Sequence, residues 1–282
     1  SKSAYSHQPD PGGAEQAKGT GNGIAIGRRH RSVRFSLDTI TVKTKRAHME
    51  DIVPTVADLF CGAGGAGMGL HRAGFEVVGF DIEPQPNYPF EFHQADALTV
   101  DLSGFDAVWA SPPCQAYSVM RHLPWLKAKD YPELIEATRD VIGDKPYIIE
   151  NVMGAPLQGG WLCGLMFGLK VFRHRRFETS WFWLAPGHPS HKGLYIRASR
   201  NLGGRARDMV VKRKGTLNSQ GYGNPIGMVG VGVHNFHKET AAAAMGIDWM
   251  TRAELSQAVP PAYSEYIGRE LMKALPTVAV SK

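Results

Sequence analysis

Cysteine is scarce in this sequence, and long apolar runs are missing from it. Cys61, Cys114 and Cys163 are the only cysteines among 282 residues. They are too few and too scattered for a disulfide framework or a zinc site, so no bound metal is expected and a reducing interior is the natural setting. No stretch approaches the roughly 18 consecutive apolar residues of a membrane span, and no secretory pattern opens the chain. Neither a membrane partner nor a leader is expected. Internal repeats are absent. Net charge is missing too, outside the first 48 residues. Residues 1–48 hold nine Lys or Arg against three Asp or Glu, and the remainder holds 23 of each. The basic balance therefore belongs to the N-terminal segment and says little about the folded part.

That segment reads as a tail. "PDPGGAEQAKGTGNG" is rich in glycine and small polar residues, and the basic run "RRHRSVRF" follows it. Such composition cannot bury a core. Ordinary globular sequence begins at Met49. From Thr55 the pattern alternates. "TVADLF", "FEVVGF", "FDAVWA" and "PYIIEN" read as short buried strands. A helical run covers about residues 66–73. A second helix, "PELIEATRDVI", places Leu134, Ile135, Thr138, Val141 and Ile142 on one face. Asp130 is expected to cap it, with Pro132 in the first turn and Glu133 at capping-box spacing. Strand–helix alternation predicts an α/β fold with a parallel sheet between helices. Ligands bind such sheets beyond the carboxyl ends of the strands. Phe60, Asp81, the Ser111 to Cys114 turn and the Glu150–Asn151 pair all fall at strand ends.

Those strand ends carry chemistry. Gly62, Gly64 and Gly67 have Gly-x-Gly-x-x-Gly spacing after a strand and before a helix. Glycines there admit a ligand to the backbone and to free helix N–H groups. Asp81, ending the second strand, is placed to accept hydrogen bonds from a ribose. This pattern suits NAD, FAD or S-adenosylmethionine equally. "PPCQ" narrows the choice. Pro112 and Pro113 fix their own φ and restrict the preceding residues, so Cys114 is presented from a stiff turn as a nucleophile would be. Cys61 and Cys163 read instead as small buried hydrophobes. Glu150 in "IIENV" is a carboxyl available to protonate a ring nitrogen. "FRHRRFE" packs three arginines and a histidine, suited to phosphates or a base carbonyl but also to a solvated face. Between residues 192 and 214 lie eight Lys or Arg and one acid, Asp208, in a stretch that faces either phosphates or solvent.

"DLFCGAGG", "PPCQ" with Tyr117-Ser118, "ENV", Arg173-x-Arg175 and "QAVPPAYSEYIG" occur in this order. In these motifs the chain resembles the C5-cytosine DNA methyltransferases over about residues 55–272, and its compactness is similar to members found in some bacteriophages. The resemblance implies a Rossmann-like, S-adenosylmethionine-dependent methyltransferase fold with a small target-recognition region. It implies residues 49–186 as catalytic and cofactor-binding domain, 187–236 as target-recognition region, and 237–282 as the part completing the catalytic domain. It implies that Phe60 and the turn of Gly62, Gly64 and Gly65 contact the methionine part of the cofactor. Asp81 would hold the ribose, with Ile82 beside the adenine and Asp96 at its amino group; Pro112 and Gln257 would complete the cofactor site. Cys114 would attack C6 of a cytosine flipped from the duplex, Glu150 would engage N3 and the exocyclic amine, Arg175 of the catalytic Arg173-x-Arg175 pair would contact the base carbonyl and the Cys114 region, and Asn151 would brace the Pro-Cys turn. Double-stranded DNA is the implied partner of a monomer in a bacterial or phage-infected cytoplasm, in restriction-modification or a related role.

The chain departs from that pattern in places. Val171 stands where the family has glutamine, and Gln257-Ala258 where it has Gly-Asn. The loop "VMRHLPWLKAKD" lacks glycine, and Pro132 replaces an arginine. About fifty residues remain for target recognition, which implies short or relaxed sequence specificity. Other readings are an RNA cytosine methyltransferase, a catalytically silent DNA-binding relative, and an NAD-dependent oxidoreductase that would leave "PPCQ" without a role.

Overall fold

A computed structural model describes residues 53–118, 130–192, 194–202, 205–210, 227–228 and 237–275, with the strands between 195 and 228 described as backbone. The 1–48 tail, the glycine-free loop at 119–129, and residues 211–226 and 229–236 of the expected recognition region lie outside the described residues.

Apolar alternation builds the central sheet. Its strands are β1 (Thr55–Leu59), β2 (Glu76–Asp81), β3 (Glu91–Gln94), β4 (Ala107–Ala110), β5 (Tyr147–Asn151), β6 (Trp161–Leu162) and β7 (Arg175–Thr179), in the spatial order β3-β2-β1-β4-β5-β7-β6. Along β1, β4 and β5, alternate residues enter different cores. Val56, Ala107, Trp109 and Ile148 join one, while Ala57, Leu59, Val108, Ala110 and Ile149 join the other. Period-two side chains point to opposite faces, so both faces of this sheet are covered.

The sheet is not all parallel, contrary to the sequence expectation. Neighbours among β1 to β5 run parallel, but β7 is antiparallel to β5, and β6 is antiparallel to β7. A parallel crossover needs a dozen or more residues, usually a helix. Between β5 and β7 the only helical piece is a single 3-10 turn, Gly164–Phe167. Without a crossover helix the chain returns antiparallel.

Helix α1 (Gly65–Ala73) lies against α5 (Pro261–Ala274) on one face. Glycines make that approach possible. A Cβ on Gly69 would lie 2.0 Å from Ser264 Oγ and 2.1 Å from the Pro261 carbonyl oxygen. Tyr263, Ile267 and Leu271 of α5 are fully buried there. Each such side chain contributes about 1.5–3 kcal/mol relative to exposure. Helix α2 (Ile135–Ile142) buries Ile135, Thr138 and Ile142 on the other face. It begins later than expected. Leu134, not Asp130, is its N-cap, and no side chain caps it. Pro132 disfavours helix at Tyr131, and the chain stays non-helical until Leu134. Arg139 then anchors α2 to β7, donating to both carboxylate oxygens of Glu178 at 2.8 and 2.7 Å.

Helices α3 (Lys238–Met245) and α4 (Arg252–Gln257) form a third cluster with Ala63 and Val171. A Thr251–Glu254 capping box starts α4. Val171 is wholly buried in this cluster, an apolar setting in which a glutamine amide would need partners. A separate sheet, β8 (Tyr195–Leu202), β9 (Arg205–Val210) and β10 (Gly227–Met228), has the order β10-β8-β9. β8 and β9 pair antiparallel, with Leu202 opposite Arg205. Among the described residues no helix is long and apolar enough to cross a membrane.

Candidate active site

The turn after β1 is the first half of the site. Phe60 sits at φ 55°, and Gly62 and Gly64 follow at φ 49° and 80°. Left-handed backbone at a non-glycine residue stores strain and is held by its surroundings. Three contacts hold this turn. Cys61 N donates to the Phe80 carbonyl at 3.1 Å, Gly62 N donates to Asp81 Oδ2 at 2.9 Å, and Trp249 Nε1 donates to the Ala63 carbonyl at 2.8 Å. Asp81 Oδ1 also accepts from Glu83 N at 3.0 Å. The predicted glycines divide by surroundings. A Cβ on Gly62 would meet nothing within 4 Å, whereas one on Gly64 would lie 2.7 Å from Pro89 Cδ and one on Gly65 2.4 Å from the Val259 carbonyl. Gly62 opens onto space, and its neighbours serve packing.

Ile82 is 65% exposed just beyond Asp81, and its carbonyl accepts from Gln94 Nε2 at 3.0 Å. Asp96 is exposed past the end of β3, with Oδ1 accepting from Leu98 N at 3.0 Å. Gln257 ends α4 with its side chain exposed; the next residues, Ala258 and Val259, are buried against Gly65.

The second half lies at the ends of β4 and β5 and the start of β7. Cys114 opens a 3-10 turn, Gln115–Tyr117, at φ −92° and is partly buried. Asn151 Nδ2 donates to the Pro112 carbonyl at 2.9 Å, and Asn151 Oδ1 accepts from Val152 N at 2.8 Å. Pro112 is buried and faces β5 through this bond, so its carbonyl serves the turn. Gly154 backs the same turn; a Cβ there would lie 2.6 Å from the Tyr117 carbonyl oxygen.

Glu150 and Arg175 pair in the interior. Arg175 Nε lies 2.8 Å from Glu150 Oε1, with both side chains under a tenth exposed. The N–H is off line, so Oε1 is buried without an aligned donor. Burial pushes the Glu150 carboxyl above its ordinary range, outweighing Arg175, Arg173 and a Ser111 hydroxyl that pull it down. Burial likewise raises the Cys114 thiol, while Arg175 lowers it, Glu150 raises it and Arg173 lowers it. Arg173 is wholly buried and pulled down to about 9, first by burial and next by Arg175. Its Nη2 donates to the Ser256 carbonyl at 2.9 Å, and its own carbonyl accepts from Tyr263 O–H. The "FRHRRFE" run is therefore no solvated face. Arg173 and Arg175 point inward, and Arg176 Nη1 donates to the Leu157 carbonyl at 3.2 Å.

Two supporting pairs escaped the sequence reading. Trp109 Nε1 donates to Ser111 Oγ at 2.9 Å, and the Ser111 hydroxyl helps pull the Glu150 carboxyl down. Asp58 is fully buried under the glycine turn and accepts from Tyr88 O–H at 3.0 Å. Burial lifts its carboxyl to about 8. Position at a strand end was the available signal for Ser111; Asp58, inside an apolar strand, was legible as an anomalous buried acid.

Residues 54–154 match the family model of C-5 cytosine-specific DNA methylases. That span holds the glycine turn, Cys114, Glu150 and Asn151 and ends before Arg173. Among solved structures the chain is similar to a DNA modification methyltransferase encoded within an E. coli prophage, at 17% identity over 79% of this chain and 99% of that one, with a TM-score of 0.52. It is also similar to the S. pombe Dnmt2 methyltransferase, at 13% identity over 79% and 99% with a TM-score of 0.49, and to the Entamoeba histolytica methyltransferase EhMeth, at 13% over 80% and 99% with a TM-score of 0.48. No curated protein matches the chain in sequence. The prophage likeness bears on fold: a Rossmann-like sheet of methyltransferase type.

Proposed function

We propose that this protein methylates C5 of cytosine in double-stranded DNA through a covalent adduct on Cys114, a reading supported by the match of residues 54–154 to the family model of C-5 cytosine-specific DNA methylases. One observation carries the reading. A cysteine on a braced turn and a buried carboxyl held above its usual range share the same two arginines, Arg175 and Arg173.

The residues fit S-adenosylmethionine. Gly62 opens onto space, Asp81 ends β2 beside it, and Ile82 and Asp96 are exposed at neighbouring strand ends. Phe60 and the glycine turn would hold the methionine part, Asp81 the ribose, and Ile82 and Asp96 the adenine, with Pro112 and Gln257 at the margins. S-adenosylmethionine supplies the methyl group that C5 receives.

The chain's own residues govern the ring. The cytosine is swung out of the duplex, because its C5 and C6 are out of reach inside the stack. Cys114 gives up its thiol proton to solvent water, and Sγ bonds to C6. The C5–C6 π electrons then push toward C5 and N3, and Glu150, neutral through burial, donates its proton at N3. Arg175 steadies the base carbonyl and the Cys114 turn, and Arg173 holds β7 to the end of α4. After methylation the C5 proton leaves to a base. Its electron pair re-forms the C5–C6 double bond, Sγ departs, and Glu150 recovers its proton.

The remaining assignments belong to the same proposal. Residues 187–236 contact the target, residues 237–282 complete the catalytic domain, and the chain acts as a monomer in a bacterial or phage-infected cytoplasm. Recognition is short or relaxed. Labelled S-adenosylmethionine with duplex DNA tests the reading. Label is expected in DNA 5-methylcytosine with wild type and not with Cys114→Ser, since a hydroxyl is a far weaker nucleophile. Label confined to transfer RNA would move the substrate to RNA, and full activity in Cys114→Ser would remove the covalent route.

A further inference from the structure

A second cluster of donors lies beside β6 and β7, and the methyl-transfer chemistry does not use it. Cys163 follows β6 and opens the Gly164–Phe167 turn, His174 immediately precedes β7, and His188 and His191 lie in the segment leading to β8. One donor atom from each lies within 4.8 Å of every other. Cys163 Sγ is 3.4 Å from His191 Nε2, and His188 Nε2 is 3.0 Å from His191 Nε2. We propose that Cys163, His174, His188 and His191 bind a zinc ion.

The distances support it. Zinc bonds of about 2.3 Å to sulfur and about 2.05 Å to nitrogen, at tetrahedral angles, set ligand atoms roughly 3.6 Å (S to N) and 3.3 Å (N to N) apart. Two contacts already have this scale, and a pair at the outer limit of 4.8 Å closes by roughly 1.2–1.5 Å. One shared proton satisfies one nitrogen–nitrogen contact, but four converging donors call for a cation. Thiolate with imidazole selects a borderline-soft ion such as Zn²⁺ over Mg²⁺ or Ca²⁺. Aromatic rings pack beside the group, of which Cys163 is buried and His188 exposed. Trp161 lies 5.3 Å from the His174 ring and 4.8 Å from His188, and Phe172 lies 4.6 Å from His191.

The absence of a metal expected from sequence came from counting cysteines. Here one cysteine joins three histidines at spacings that follow no zinc pattern, because the sheet and not the local chain assembles them. Four protein ligands leave no open position, so the site is structural. It ties the segment that leads into β8 to the edge of the catalytic sheet. His174 also stands between Arg173 and Arg175, so the ion fixes the start of β7 and the residues just before it.

Metal analysis of the full-length chain after zinc reconstitution and desalting tests this. About one zinc per chain is expected, along with a tetrahedral visible spectrum and a thiolate charge-transfer band on cobalt substitution. Cys163→Ser should lose the charge-transfer band and most of the zinc, His188→Ala should lose zinc, and zinc should raise the Tm of wild type alone. A wild-type chain that retains no zinc, or an octahedral cobalt spectrum without a thiolate band, overturns the proposal whether or not the variants fold. Equal zinc in wild type and both variants also overturns it. None of these outcomes bears on Cys114 as nucleophile.

Discussion

Asn151 Nδ2 and the Pro112 carbonyl oxygen, 2.9 Å apart, join the end of β5 to the turn that presents Cys114. Asn151 is 1% exposed, so Asn151→Ala leaves a buried carbonyl unpaired at a cost of about 1–3 kcal/mol. Turnover should fall more than DNA affinity, because the cysteine loses its aim while the surfaces away from the turn are unchanged. Asn151→Asp should not rescue it, since a carboxylate has no N–H to donate. Thermal melts and single-turnover rates check this; a variant with wild-type turnover would mean that the prolines alone hold the turn.

Two glycine substitutions should separate packing from binding. Gly69→Ala forces a Cβ to 2.0 Å from Ser264 Oγ and should destabilise the fold by about 1–3 kcal/mol through overpacking between α1 and α5. Gly62→Ala has space but sits at φ 49°, so it should cost about 1–3 kcal/mol in backbone strain and weaken S-adenosylmethionine binding. Melting curves with and without the cofactor distinguish them. Cofactor affinity unchanged in folded Gly62→Ala would place the ligand elsewhere.

The strand ends were legible because β1, β2, β4 and β5 are short apolar runs closed by polar or rigid residues. Phe60, Asp81, Cys114 and Glu150 fell where the alternation stopped. β7 was not legible as a strand, because its arginines hide the burial of Arg175 and Phe177 behind a charged pattern. Its direction depended on a missing crossover helix, which is a property of residues 152–174 as a whole. The start of α2 was misplaced by a plausible cap at Asp130 that the Tyr131-Pro132 step overrode. The Cys163 and histidine cluster was invisible because the Gly164–Phe167 turn separates Cys163 from His174 and β7 separates His174 from His188 and His191, spacings that match no zinc pattern.

Asp58 gives a pH test. Its folded carboxyl stands at about 8, against about 3.9 in an unfolded chain. Its favourable contribution is complete below the unfolded value and is lost as pH rises through the folded one. Wild type should therefore lose on the order of a few kcal/mol between about pH 4 and about pH 8 relative to Asp58→Asn. Urea unfolding of both proteins across that window checks it. Parallel stability curves would show that Asp58 is ionised in the native state.

Ser111 tunes Glu150. Its hydroxyl favours the charged carboxylate, so Ser111→Ala should raise the Glu150 pKa further. If protonated Glu150 serves N3, the alkaline limb of kcat should move to higher pH. A limb that stays fixed or moves down would remove Glu150 from proton donation.

The covalent step is read most directly by trapping. Fluorine at C5 cannot leave as a proton, so duplex DNA carrying 5-fluorocytosine should hold the enzyme once methyl transfer has occurred. Peptide mapping by mass spectrometry should find a methylated fluoropyrimidine adduct on Cys114, dependent on S-adenosylmethionine and absent from Cys114→Ser. An adduct on Cys61 or Cys163, or turnover of unmodified DNA with no adduct at all on the fluorinated duplex, would contradict Cys114 as the nucleophile.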